Sequence, residues 1–171
     1  MCGFLSSLGD NPLNEQEILI LEKSLKLLNH RGPDNTNSEI VSGKKCFLGH
    51  TRLNILDNNK NSNQPIFSHN KKFAMVFNGE IFNHLELRNL YLRNINFQTN
   101  SDTETLIQLW EKLGESSINL LEGMFAFVIV DLHSNDYYCV RDRFGIKPIY
   151  YCKKGSNLIL SSEIKPILYF L

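Results

Sequence analysis

Apolar positions along this chain follow two different periods, and the alternation between them sets out the elements. Ile18, Leu21, Leu25 and Leu28 recur at helical spacing, and Asn14 followed by Glu17 resembles a capping box, so residues 15–29 predict an amphipathic helix. The helix stops before His30-Arg31-Gly32-Pro33-Asp34, a loop by its Gly-Pro content. Residues 46–57 and 72–77 predict strands, and 58–63 form a polar, Asn-rich connection between them. A short helix is predicted over 85–93 and a stronger one over 102–113, with Ser101 or Asp102 as cap and Leu106, Leu109, Trp110 and Leu113 on one face. Four strand candidates follow, at 124–131, 136–142, 148–153 and 157–162. The segment 124–130 is apolar on both alternating sets, which predicts a strand buried on two faces. Short connections among the last strands imply hairpins and antiparallel pairing. The class is therefore α+β, with two sheets stacked and helices outside.

Length and charge narrow the function. A chain of 171 residues fits one domain with a real core, and no internal repeat or second boundary interrupts it. Lys plus Arg equals Asp plus Glu at 18 each, so no basic surplus advertises nucleic acid or an anionic membrane. A small neutral substrate or a protein partner fits better. No charged segment leads into an apolar one as a signal peptide requires, and no apolar run approaches the ~20 residues that span a bilayer. Cys2, Cys46, Cys139 and Cys152 are widely spaced, without C-x-x-C or a Cys/His cluster. They suit a reducing cytoplasm and predict no metal site. His30, His50, His69, His84 and His133 likewise lack a metal-binding spacing, and none is expected to be catalytic. Arg141-Asp142-Arg143 predicts a structural ion-pair cluster.

Candidate chemistry begins at the amino terminus. A thiol needs a base to become a strong nucleophile, and removal of Met1 would give Cys2 a free α-amine able to serve as that base. Taken alone, Cys2 reads more readily as an ordinary buried cysteine than as a nucleophile. Asn78-Gly79 offers a side-chain amide beside an open backbone N–H, the donors an acyl-transfer oxyanion needs, although the same pair is a strong hairpin turn. Arg52 could clamp a carboxylate or be a solvated surface charge. Asp102 could bind an ammonium group or cap its helix.

The order of these segments is what makes them specific. Cys2-Gly3, His30 to Asp34, His50-Thr51-Arg52-Leu53-Asn54-Ile55, Phe77-Asn78-Gly79-Glu80-Ile81-Phe82-Asn83, Ser101-Asp102, Leu121 to Phe127, Arg141 to Tyr150 and Ser161 to Lys165 resemble, across essentially the whole chain, the class II glutamine amidotransferase domain of asparagine synthetases. The resemblance implies the four-layer αββα sandwich of N-terminal-nucleophile hydrolases over residues 1–171. It implies Cys2 as nucleophile and Asn78 with Gly79 as oxyanion donors. By the same likeness Arg52 binds the glutamine α-carboxylate, Glu80 and Asp102 hold its ammonium group, Leu53 and Ile55 line the pocket, and the segment around Arg31 lies nearby.

The activity so implied is hydrolysis of glutamine to glutamate and ammonia, with ammonia passed to a synthetase domain or subunit. That part, with its ATP and magnesium, is not found within these residues, and no cofactor is expected here. A homodimer is compatible with the likeness. As written the chain keeps Met1, which must be lost on maturation for the amine to exist. The alternative is a noncatalytic module that keeps the fold and senses glutamine or a partner.

Overall fold

A computed structural model describes residues 1–54 and 60–171. One antiparallel sheet holds β1 (Gly3–Leu8), β2 (Asn35–Val41), β3 (Cys46–Arg52), β8 (Tyr150–Lys154) and β9 (Asn157–Ser161), in the order β2-β3-β1-β9-β8. The other holds β4 (Ile66–Phe67), β5 (Phe73–Ile81), β6 (Gly123–Asp131) and β7 (Tyr137–Arg141), in the order β4-β5-β6-β7. Two helices, α1 (Glu15–Lys26) and α4 (Ile164–Phe170), pack on the first sheet; α2 (His84–Tyr91) and α3 (Asp102–Leu113) pack on the second.

Alternation along the strands produces the layers. Phe4, Leu8 and Leu48 meet Ala74, Val76, Ala126 and Val128 between the sheets. The opposite faces carry Leu5 and Phe47 against Leu21, Leu25 and Leu28, and Met75, Phe77 and Phe127 against Leu106, Leu109 and Trp110. Burial on both faces explains why β6 is apolar from Met124 to Val130. Trp110 meets Phe127 edge-on with ring centroids 6.1 Å apart, the geometry that aromatic quadrupoles favour. The expected αββα sandwich is the observed fold.

Several boundaries differ from the sequence pattern. The helix expected to reach residue 29 ends at Lys26, while its Asn14–Glu17 capping box forms with both bonds at 2.9 Å. The first central strand ends at Arg52; the rest of its expected range, from residue 55, lies outside the described residues, as does part of the connection 58–63. The second runs on to Ile81, through Asn78 and Gly79, which pair with Ala126 and Phe125 and so form no hairpin turn. Arg141-Asp142-Arg143 forms no ion pair among the described residues. Asp142 accepts the backbone N–H groups of Phe125, Phe144, Ile146 and Lys147, and Arg141 donates to the carbonyls of Gly145 and Lys147. The loop after β7 folds back on itself, and its peptide groups take the side chains as partners in place of solvent.

Candidate active site

Cys2 immediately precedes β1, whose six residues are all buried, so its position is set by a strand at the centre of the first sheet. Its main chain is anchored from outside the sheet: Arg31 Nε donates to the Cys2 carbonyl at 2.9 Å, and Arg31 Nη1 pairs with Glu163 Oε1 at 3.0 Å. The thiol contacts the Leu53 main chain, receiving its N–H at 3.4 Å and facing its carbonyl at 3.8 Å. Burial pushes the Cys2 thiol above its ordinary range; the Leu53 N–H, the amino terminus and Arg52 pull it only partly back. A thiol in that state is protonated at neutral pH and needs a nearby base to react.

The loop His30 to Asp34 explains itself as a brace for the end of β3. Pro33 bridges to Arg52, the Asp34 N–H donates to the Arg52 carbonyl at 3.0 Å, and Asp34 Oδ2 accepts the Asn54 N–H at 2.7 Å. Gly32 lies so close that a Cβ would sit 2.3 Å from the Thr51 carbonyl carbon, which excludes every other residue. Arg52 is thereby held at the strand end, buried, with Nη1 donating to Asn63 Oδ1 at 2.7 Å.

Across the cleft stands the free edge of β5. Asn78 is only 1% exposed, and its amide nitrogen has no hydrogen-bond partner among the described residues. At Gly79 a Cβ would fall 2.3 Å from the Met124 carbonyl, so the approach of β6 requires glycine within a strand. Asp102 does not cap α3. Ser101 does so, accepting the Glu104 N–H at 3.2 Å, which leaves Asp102 Oδ2 to accept the Ile81 N–H at 2.9 Å. Burial first, and then the nearby Glu80 carboxylate, raise the Asp102 pKa to about 6 despite its backbone hydrogen bonds. Arg88 fixes this corner by donating to the carbonyls of Thr99 and Ser101 while lying over the Phe97 ring.

These groups surround one cleft of about 550 Å³, lined by Cys2, Arg52, Leu53, Gly79, Glu80 and Asp102. Six of the residues singled out in the sequence thus converge, Asn78 stands buried beside Gly79, and Ile55 lies outside the described residues. Ser62, Gln64, Phe77, Ser101 and Thr103 complete the lining; of these, Phe77 and Ser101 stand in the segments named from the sequence, Ser101 there also as a helix cap. Ser62 and Gln64 sit in a connection whose polar composition carries no positional signal. A guanidinium, two carboxylates and a thiol form a wall suited to a small zwitterion bearing a reactive carbonyl. Among the described residues no group of three or more His, Cys, Asp or Glu side chains could hold a metal ion, and no helix is long and apolar enough to cross a membrane.

The fold and the family comparison agree on a glutamine amidotransferase domain. A family model described as "Glutamine amidotransferase domain" matches residues 1–170, and the chain belongs to that family. Relatives named asparagine synthetase [glutamine-hydrolyzing] include one from Triphysaria versicolor, 41% identical over 169 residues covering 96% of this chain and 28% of the relative. Another, from Sandersonia aurantiaca, is 39% identical over 169 residues and covers 96% of this chain and 31% of the relative. The chain therefore spans about a third or less of the relatives it matches. Among solved structures, the glutamine phosphoribosylpyrophosphate amidotransferase from B. subtilis superposes with a TM-score of 0.82 at 22% identity, over 99% of this chain and 43% of that one. A second, titled an allosteric regulatory enzyme of purine biosynthesis, gives a TM-score of 0.79 at 21% identity, over the same shares. Both share the fold.

Proposed function

We propose that this domain hydrolyses L-glutamine to L-glutamate and ammonia, and that the ammonia feeds an ATP-dependent asparagine synthetase or related amidating domain. One observation carries the reading: the half-buried Cys2 thiol opens into the same cleft as Arg52, Asp102 and Gly79, with Asn78 next to Gly79 on the same strand. With Met1 removed, the Cys2 α-amine takes the thiol proton as sulfur attacks the side-chain carbonyl of glutamine. The oxygen that becomes negative is met by the Asn78 amide and the Gly79 N–H. Collapse of the adduct returns the proton to the departing nitrogen, so ammonia leaves and a γ-glutamyl thioester remains. Water, deprotonated by the same amine, then cleaves the thioester to glutamate and regenerates the thiol.

Substrate orientation follows from charge. Arg52 matches the α-carboxylate, and Glu80 with Asp102 matches the α-ammonium, which together aim the amide at Cys2 and convert binding into proximity. Met1 is 59% exposed, open to the processing that this chemistry needs. Leu53 contributes the N–H that steadies the sulfur, and Ile55 is assigned to the pocket by the family likeness alone. In this reading the partners are L-glutamine and the amidating domain or subunit, ATP and magnesium belong to that partner, and the setting is the cytoplasm. The test is a glutaminase assay on Met1-free protein. Release of ammonia by the wild type and none by a folded Cys2→Ala variant is expected; equal turnover by both would refute the assignment.

A further inference from the structure

We infer that Gln64 is a positioning residue for the oxyanion-binding edge of β5, acting with His50 to clamp the Phe77 peptide groups from two sides; this rests on the hydrolase reading above. The backbone of β5 alternates its hydrogen-bonding groups between two edges. Phe82 donates toward the β6 side, to the Glu122 carbonyl, whereas Phe73, Phe77 and Ile81 donate to side chains on the other edge, those of Ser68, Gln64 and Asp102. Gly79 falls in the second set by its period of two, so its N–H faces the cleft between the two side chains that cap its neighbours. Its cross-strand partner agrees, because the N–H and carbonyl of Phe125 are both taken up at Asp142.

That opening exists because β4 is short. Its ladder with β5 pairs Ile66 with Met75 and Phe67 with Ala74 and then ends. Continued by the same register, Gln64 would stand opposite Phe77 and Ser62 opposite Gly79. Where the ladder would have supplied a backbone carbonyl, the Gln64 side chain supplies Oε1 instead, accepting the Phe77 N–H at 2.6 Å from a site only 4% exposed. From the facing sheet, His50 Nε2 donates to the Phe77 carbonyl at 3.1 Å. His50 is fully buried and burial lowers its pKa to about 3, so the ring is neutral and the carbonyl fixes Nε2 as the protonated nitrogen. Phe77 is thus held at both polar groups immediately before the two residues that offer the donors. Donors aimed at a developing charge act only if fixed beforehand, and a displacement of about 1 Å costs on the order of 10² in rate.

The test uses Met1-free protein carrying Gln64→Met, which fills the space without a comparable acceptor, and Gln64→Glu, which keeps an acceptor oxygen whether protonated or not. The readouts are glutaminase kcat and KM and inhibition by the γ-aldehyde analogue of glutamine, whose adduct with the thiol places an oxygen where the oxyanion forms. Gln64→Met is expected to lower kcat by about 10-fold or more, leave KM within about twofold and weaken aldehyde inhibition by the same factor as kcat; Gln64→Glu recovers most of it. Should Gln64→Met fail to fold, Gln64→Asn withdraws the same oxygen by one methylene and is read in the same way. Unchanged kcat and aldehyde inhibition, or a rise in KM alone, overturns the role. A wild type without glutaminase activity or aldehyde inhibition sinks the hydrolase reading itself.

Discussion

Replacing Asn78 by alanine separates catalysis from stability. The carboxamide is 1% exposed, and its nitrogen finds no acceptor among the described residues. A buried donor left unmade costs about 1–3 kcal/mol in the resting fold. Asn78→Ala removes that cost along with some packing, so the two effects oppose each other and the net loss of stability should stay below about 1 kcal/mol. In the reaction proposed above, the same nitrogen gains a partner only once the oxyanion forms. Loss of one such donor lowers kcat by about 10²–10³, or about 2.7–4 kcal/mol, with KM little changed because the ground state does not use the bond. Steady-state glutaminase kinetics and urea unfolding of the same preparation measure both quantities. A kcat within about threefold of wild type in a folded variant would show that Asn78 stabilises no charge, and the oxyanion assignment would fail.

Two further substitutions probe the electrostatics. Asp102 titrates near 6 because burial disfavours its charge, so binding of the substrate ammonium should weaken and KM rise as pH falls through that value. The linkage sign is opposite to that of most carboxylates. With a folded pKa above the unfolded one, the native state binds the extra proton between about pH 6 and 4, and this group adds stability as pH falls through that window. Asp102→Asn should therefore melt higher than wild type at pH 7, with the difference vanishing near pH 4, while its KM exceeds that of wild type at pH 7 and the gap closes as pH falls below about 6; thermal melts and KM across pH 4–8 check both. Asp142 behaves conventionally. Burial acts to raise its pKa, but the N–H groups of Lys147, Ile146, Phe125 and Phe144 hold it below the usual range, so its contribution is present above the unfolded pKa and lost as pH falls through the folded one. Asp142→Ala strands those N–H groups and should cost about 2–4 kcal/mol in urea unfolding at pH 7; a cost under about 0.5 kcal/mol would mean that water replaces the carboxylate.

Legibility in the sequence tracked how far local pattern and tertiary role agreed. The α3 boundaries were readable because its cap, its apolar face and its length all point the same way. Strand β6 was readable because burial on both faces leaves an uninterrupted apolar run. Strand β1, by contrast, has Ser6 and Ser7 fully buried amid its apolar residues, which breaks the alternation that identifies a strand. Strand β2 is a polar edge paired on one side to β3, and nothing but tertiary pairing makes it a strand. Helix α4 carries Pro166 in its first turn and no side-chain cap, so its start went unmarked. Within the site, the chemistry-bearing residues were legible because each belongs to a distinctive segment. Asn78-Gly79 nevertheless offered a turn as readily as a strand, and only the close approach of Met124 explains the glycine. Gln64 and Arg88 act through a side-chain oxygen on a strand edge and donors on a helix corner, contacts that exist only after the sheets and helices have packed.

The claim on which everything else depends is that one residue supplies both sulfur and base. Two preparations of the same chain, one with Met1 removed and one retaining it as verified by intact mass, should be treated with an electrophilic diazoketone analogue of glutamine. The account predicts one equivalent bound at Cys2 in the Met1-free protein and labelling slower by about 10²-fold or more where Met1 remains. Equal rates in the two forms, or modification at Cys46, Cys139 or Cys152 in place of Cys2, would contradict it.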